Sequence, residues 1–290
     1  AMVEAMDFHI GRLIQHLKNT GHYENTIFIF ASDNGSEGSG AGVESAPANN
    51  LMLSLMDYND DYETLGLKGS YGTIGPNFAS AAASPLGYYK FYVGEGGLRV
   101  PLIIAGEPLN LSDPNSIIDA FSYATDIVPT ILQLTGVPQP NGRYNSREVE
   151  PIVGRSMVPL LQGQAERIYG DDDAIGYELN GHRALFLGDH KIVYNRPPIG
   201  DGVWHLYNIA TDPGETQDLR ELQPQRFARM QALYEQFVVE HGVLPVAEDF
   251  DPQQVMFARL VRDRFGGYLI ALVCVVVALV AFGFYRRRRL

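Results

Sequence analysis

Cysteine is almost missing from these 290 residues, with Cys274 the only one. A lone thiol excludes a disulfide framework. Charge is also scarce, at 19% of positions, and it leans one way: 22 basic against 34 acidic side chains leave a net −12. That balance excludes nucleic-acid binding through a broad basic surface. Low-complexity tracts and internal repeats are lacking, and 46% hydrophobic content excludes a disordered or collagen-like chain. No signal peptide opens the sequence; Ala1 leads directly into apolar positions Met2, Met6, Ile10, Leu13 and Leu17 at helical spacing. A chain that opens inside a helix is expected to be a fragment.

Long apolar runs are lacking except for one, Tyr268 to Tyr285, which is followed by Arg286 to Arg289. Eighteen helical residues reach about 27 Å, close to a bilayer core once Gly266 and Gly267 are added. The flanking tyrosines and the arginine cluster predict a single transmembrane helix over 266–285. The expected placement is single-pass, with the globular part outside the cytoplasm and the C-terminus inside. The tail would act as a permanent anchor or as a sorting signal cleaved after export. Without the four arginines the remaining chain carries −16, since −12 − 4 = −16.

The pattern along the chain predicts an α/β fold. A helix to about Asn19 stops at Gly21, and Thr26 to Ala31 forms a β-prone run of the kind buried on both faces of a parallel sheet. A Gly-, Ser- and turn-rich region follows, and Val100 to Ala105 reads as a second strand. Asp126 is placed to cap a helix over 127–134, with Gly136 past its end. Short strands at 183–187, 191–194 and 203–207, then a helix over 224–241, predict a small antiparallel sheet with one helix packed on it. The expected division is 1–139 as α/β domain, 140–250 as small α+β subdomain, 251–265 as juxtamembrane segment, 266–285 as membrane helix and 286–290 as basic tail.

Two places carry chemistry. Asp33 and Asn34 follow the first strand, and ligands collect at the carboxyl ends of strands in open α/β sheets. Their oxygens suit a hard cation such as calcium, although an Asx turn closing the strand requires the same residues. Lys90 precedes Glu95-Gly96-Gly97-Leu98-Arg99-Val100-Pro101. Its ammonium suits a sulfate or phosphate oxygen, and an ordinary exposed lysine before a bend is the alternative.

Taken together, Phe28 to Gly38, Tyr88-Tyr89-Lys90 with Glu95 to Pro101, Thr125 to Leu132, Gly154 to Leu161 and Trp204 to Leu219 resemble the type I sulfatases, the arylsulfatase family of the alkaline phosphatase superfamily. The resemblance covers about residues 1–245. It implies a partial alkaline-phosphatase-like sulfatase domain followed by the small C-terminal subdomain. It also implies Asp33 and Asn34 as calcium ligands, and Lys90 as the catalytic and substrate-binding contact to the sulfate group. Glu95 and Arg99 are expected to support that lysine. The family's nucleophile is a formylglycine made in a Cys/Ser-x-Pro-x-Arg motif, which occurs nowhere here; neither Ser45 nor Ser84 begins one. The nucleophile, the remaining calcium carboxylates and the catalytic histidines are expected in an N-terminal half outside these residues. His182 and His190 are expected at the surface or in turns.

The implied activity is hydrolysis of sulfate monoesters, on a small molecule or a sulfated glycan, with these residues alone inactive. Two other readings remain open: a phosphodiesterase or phosphonate hydrolase of the same superfamily, and a non-catalytic membrane-tethered binding module.

Overall fold

The computed structural model describes residues 2–38, 53, 56–197, 200–247 and 250, together with 255, 258–259, 262–263 and 265–267. Two compact units divide the chain, Ala1–Gly242 and Val243–Leu290. In the first unit, α1 (Met2–Asn19) stops before Gly21, whose φ of +70° is left-handed backbone that glycine accepts without steric cost. After it, β1 (Phe28–Ala31) pairs with β2 (Leu102–Ala105), Phe28 facing Ala105 and Ala31 facing Leu102.

That pair corrects two expectations. The strands run antiparallel as a two-stranded sheet, where the helix–strand order predicts a parallel one. They are also only half-buried, with Phe30 37% and Ile103 57% exposed. An apolar run makes a strand fit to be covered on both faces, but it does not supply the covering layers.

Between and after these strands lie α2 (Gly75–Ala83), α3 (Glu95–Leu98), α4 (Ile127–Thr135), the short hairpin β3 (Arg143–Tyr144) and β4 (Arg147–Glu148), and α5 (Val158–Leu161). Gly136 closes α4 in the left-handed region, where the sequence predicts its end. Asp126 precedes α4, but its side chain does not cap the helix. It is fully buried and ties three segments together. One oxygen accepts from the Tyr123 N–H at 2.7 Å; the other accepts from the Arg155 N–H at 2.8 Å and the Tyr169 hydroxyl at 2.5 Å.

The second layer is a four-stranded antiparallel sheet in the order β5 (Ala174–Leu179), β6 (His182–Leu187), β7 (His190–Tyr194), β8 (Trp204–Asn208). Helix α6 (Pro224–His241) packs on it. Its apolar stripe puts Met230 and Tyr234 into a core with Leu185, Leu187, Ile192 and Leu206. Sequence patterning predicts three of these strands and misses β5, because Gly176 interrupts its β-prone pattern. A Cβ at Gly176 would sit 2.3 Å from the Phe237 ring, so the glycine is what lets α6 lie against the strand.

The membrane helix expected over 266–285 is corrected. Among the described residues no helix is long and apolar enough to cross a membrane. The two helices with enough length, α1 and α6, each carry several charged side chains along their polar faces. From 268 onward the apolar run and the arginines lie outside the described residues. The single-pass placement, with its exported body and cytoplasmic C-terminus, has no support among the described residues.

Candidate functional site

Asp33 and Asn34 follow β1 after one residue, Ser32. The chain turns there because Ser32 Oγ donates to the Asn34 carbonyl at 2.8 Å and Asn34 Nδ2 donates to the Gly35 carbonyl at 3.1 Å. With its amide nitrogen so used, Asn34 keeps its side-chain oxygen as an acceptor. Next, the Gly35 N–H donates to the Gly97 carbonyl at 3.0 Å. A Cβ on Gly35 would lie 1.9 Å from the Gly96 oxygen. Only glycine allows this approach, which seats the Asp33–Asn34 turn on α3.

Lys90 reaches the same place from the other side. Its backbone N–H donates to the Ser36 carbonyl at 3.0 Å, and its Nζ donates to Glu37 Oε2 at 2.5 Å. Phe91 lies beneath, with Nζ 5.2 Å from the ring centroid. Tyr88 and Phe91, on either side, have φ of +66° and +82°. Bulky residues resist that conformation, and such strain persists only where the surroundings over-determine it. The segments that carry the three sequence-predicted positions are thus joined beside one end of the β1–β2 pair, by bonds between residues 35–37 and residues 90 and 97.

What holds this corner is a buried ionic cluster. Lys191, on β7 and fully buried, donates to Glu95 Oε1 at 2.8 Å and lies 2.9 Å from Glu215 Oε1. Glu215 Oε2 accepts from the Glu95 N–H at 2.9 Å, and Asn195 Oδ1 accepts from the Val93 N–H at 3.1 Å. Burial pushes the Glu215 carboxyl above its usual range, opposed by the Lys191 ammonium. The two carboxylates keep Lys191 charged despite its burial. Glu95, expected to support Lys90, is bonded to Lys191 and Glu215 within this cluster. Arg99, expected in the same role, is exposed and faces Asp119 at 3.8 Å.

Sequence reasoning misses Lys191, Glu215 and Glu37 as parts of this corner. The only prior signal is that Glu37 and Glu215 stand inside two of the motif blocks. His182 is half-buried at the first position of β6, directly after the turn at Asn180 and Gly181. Its ring packs edge-on against Tyr92, its Nδ1 accepts from the Arg196 N–H at 3.1 Å, and burial holds its imidazole below the ordinary range. Tyr92 itself is pushed up to about 12 by burial. A cavity of about 360 Å³, lined by Ile118, Phe121, Tyr169 and Phe186 among others, includes none of the three predicted site residues.

For calcium, an aspartate oxygen beside a free amide oxygen is the hard donor pair such an ion takes, but calcium wants about six to eight oxygens. Among the described residues no group of three or more His, Cys, Asp or Glu side chains could hold a metal ion. Asp33 and Asn34 fit part of a calcium shell and not a whole one.

The Sulfatase family model matches residues 1–137. An uncharacterized sulfatase of Schizosaccharomyces pombe is 34% identical over 256 residues, covering 88% of this chain and 45% of that protein. The arylsulfatase of Klebsiella aerogenes is 31% identical over 163 residues, 55% of this chain and 33% of that one. Among solved structures, a protein in complex with its substrate D-glucosamine-2-N,6-O-disulfate superposes with a TM-score of 0.52 at 20% identity, covering 83% of this chain and 39% of that chain. The chain thus spans less than half the length of these relatives. The order of the motifs, the family match and the relatives agree, and the chain belongs to the sulfatase family.

Proposed function

We propose that these residues form one wall of a sulfate-ester hydrolase site, completed in a protein that also carries the half the relatives have and this chain does not. The observation that carries this reading is the meeting of the Asp33–Asn34 turn with Lys90, through the Lys90 N–H to Ser36 and Gly35 N–H to Gly97 bonds.

Lys90 contacts an oxygen of the sulfate group. A positive point charge there stabilises negative charge building on the transferring group or the departing oxygen, and it acts most strongly where water is excluded. Asp33 and Asn34 supply two oxygens of a calcium shell. When bound, that ion offsets sulfate charge and orients the nucleophile. The nucleophile is expected to be a formylglycine, and no Cys/Ser-x-Pro-x-Arg motif for it lies in these residues. The substrate class is a sulfate monoester, small or carried on a glycan.

Replacing Lys90 with alanine in the complete enzyme should lower kcat/KM for an aryl sulfate by about a hundredfold or more, the usual cost of removing one charge-stabilising donor. Unchanged turnover would remove Lys90 from the site.

A further inference from the structure

Lysine is a long, flexible chain, and holding its ammonium at one point costs rotamer entropy. Here that cost is met before any ligand binds. Lys90 Nζ is held at 2.5 Å by Glu37, which belongs to a loop 53 positions earlier in the chain. The neighbouring Ser36 carbonyl takes the Lys90 backbone N–H, so main chain and side chain are registered to the same two residues. On its other side the ammonium faces the Phe91 ring. The side chains of Lys90 and Glu37 are 29% and 42% exposed, so the pair remains open to solvent and to a ligand.

An ammonium has three donors, and Glu37 occupies one, leaving two for an anion. Glu37 also places a negative charge beside the position an incoming sulfate would take. These two effects oppose each other. The hydrogen bond aims Lys90, and the charge weakens its grip on any anion, whether substrate or product.

We propose that Glu37 is a positioning residue for Lys90, one that orients the ammonium for turnover while lowering affinity for sulfate. The inference rests on Lys90 contacting the sulfate group. A role confined to folding would weaken binding and turnover together, whereas this one separates them.

The test uses the complete enzyme, with Glu37→Gln, Glu37→Ala and Lys90→Ala compared for kcat and KM on an aryl sulfate and for inhibition by inorganic sulfate. Glutamine keeps an acceptor and loses the charge; alanine loses both. Both Glu37 variants should bind inorganic sulfate about three- to tenfold more tightly, the scale of one screened charge a few ångström away. The alanine variant should lose about tenfold or more in kcat, and glutamine should recover part of that loss. Weaker sulfate binding alongside lower kcat, or no change in either constant, would overturn the role of Glu37. Should the alanine variant fail to fold, the near-isosteric glutamine variant decides through its sulfate inhibition constant. Lys90→Ala separates the two levels. If it leaves sulfate inhibition intact, the Lys90 reading and this inference fall together. If it abolishes inhibition while Glu37→Ala and Glu37→Gln change nothing, only the inference falls.

Discussion

Lys191 is the side chain on which the site corner turns. It stands in β7 between apolar Ile192 and the strand's first residue His190, where charge is least expected, and it is completely buried. Its two partners come from segments 96 residues earlier and 24 residues later, Glu95 and Glu215. Breaking a buried pair by removing one partner leaves an uncompensated charge, which costs about 3 to 5 kcal/mol. Lys191→Met would leave two facing carboxylates, so a loss of that size in a urea titration at neutral pH is expected. The pH dependence has a definite sign. A carboxyl whose folded pKa is raised favours the protonated, folded form, so the penalty in Lys191→Met should shrink as pH falls toward the ordinary carboxyl value of 4.5. A penalty that grows on acidification would show that the carboxylates are not the source. None of this is legible in His190-Lys191-Ile192-Val193-Tyr194, because a strand's alternation says which side a residue faces and not which distant carboxylates meet it.

At the scale of elements, α1 and α6 make an instructive pair. Both are 18 residues long and both carry apolar positions at helical spacing. α6 buries Met230 and Tyr234 against the four-stranded sheet, whereas α1 has no buried residue and leaves Phe8 65% exposed. Met230→Ala should therefore cost about 2 to 5 kcal/mol, from lost burial and the cavity left behind. Phe8→Ala should change stability by less than about 0.5 kcal/mol. Chemical denaturation of the two variants checks the contrast; equal losses would mean that the apolar side of α1 is packed. The helix bounds were legible, since Gly21 and Gly242 sit where left-handed backbone ends each helix. What each stripe packs against was not, because amphipathicity identifies a face without naming its partner. The same gap turned an expected parallel, doubly covered strand into a half-exposed antiparallel pair.

For the whole molecule, the 290 residues carry the three positions that the family resemblance assigns to a sulfatase site, and no formylglycine motif. By themselves they should hydrolyse an aryl sulfate no faster than buffer does, measured as release of the phenol. Turnover above that background would place the nucleophile within this chain. Order of motifs alone was enough to determine the family, since five blocks in sequence point to the sulfatases before any coordinate is considered. It also pointed to residue types suited to that chemistry: a hard oxygen pair at Asp33 and Asn34, and a cation at Lys90. The apolar run from Tyr268 pointed equally firmly to a membrane helix, and no described helix bears that out. Only the tertiary structure decided how the pieces meet. It set Gly35 against Gly96 and Glu37 on Lys90, and it buried Lys191 between Glu95 and Glu215. The physical reason is range. Caps, turns and periodicity act over a few residues and can be read from local order. A close backbone approach or a buried ion pair joins residues tens of positions apart, and it exists only once the chain has folded them together.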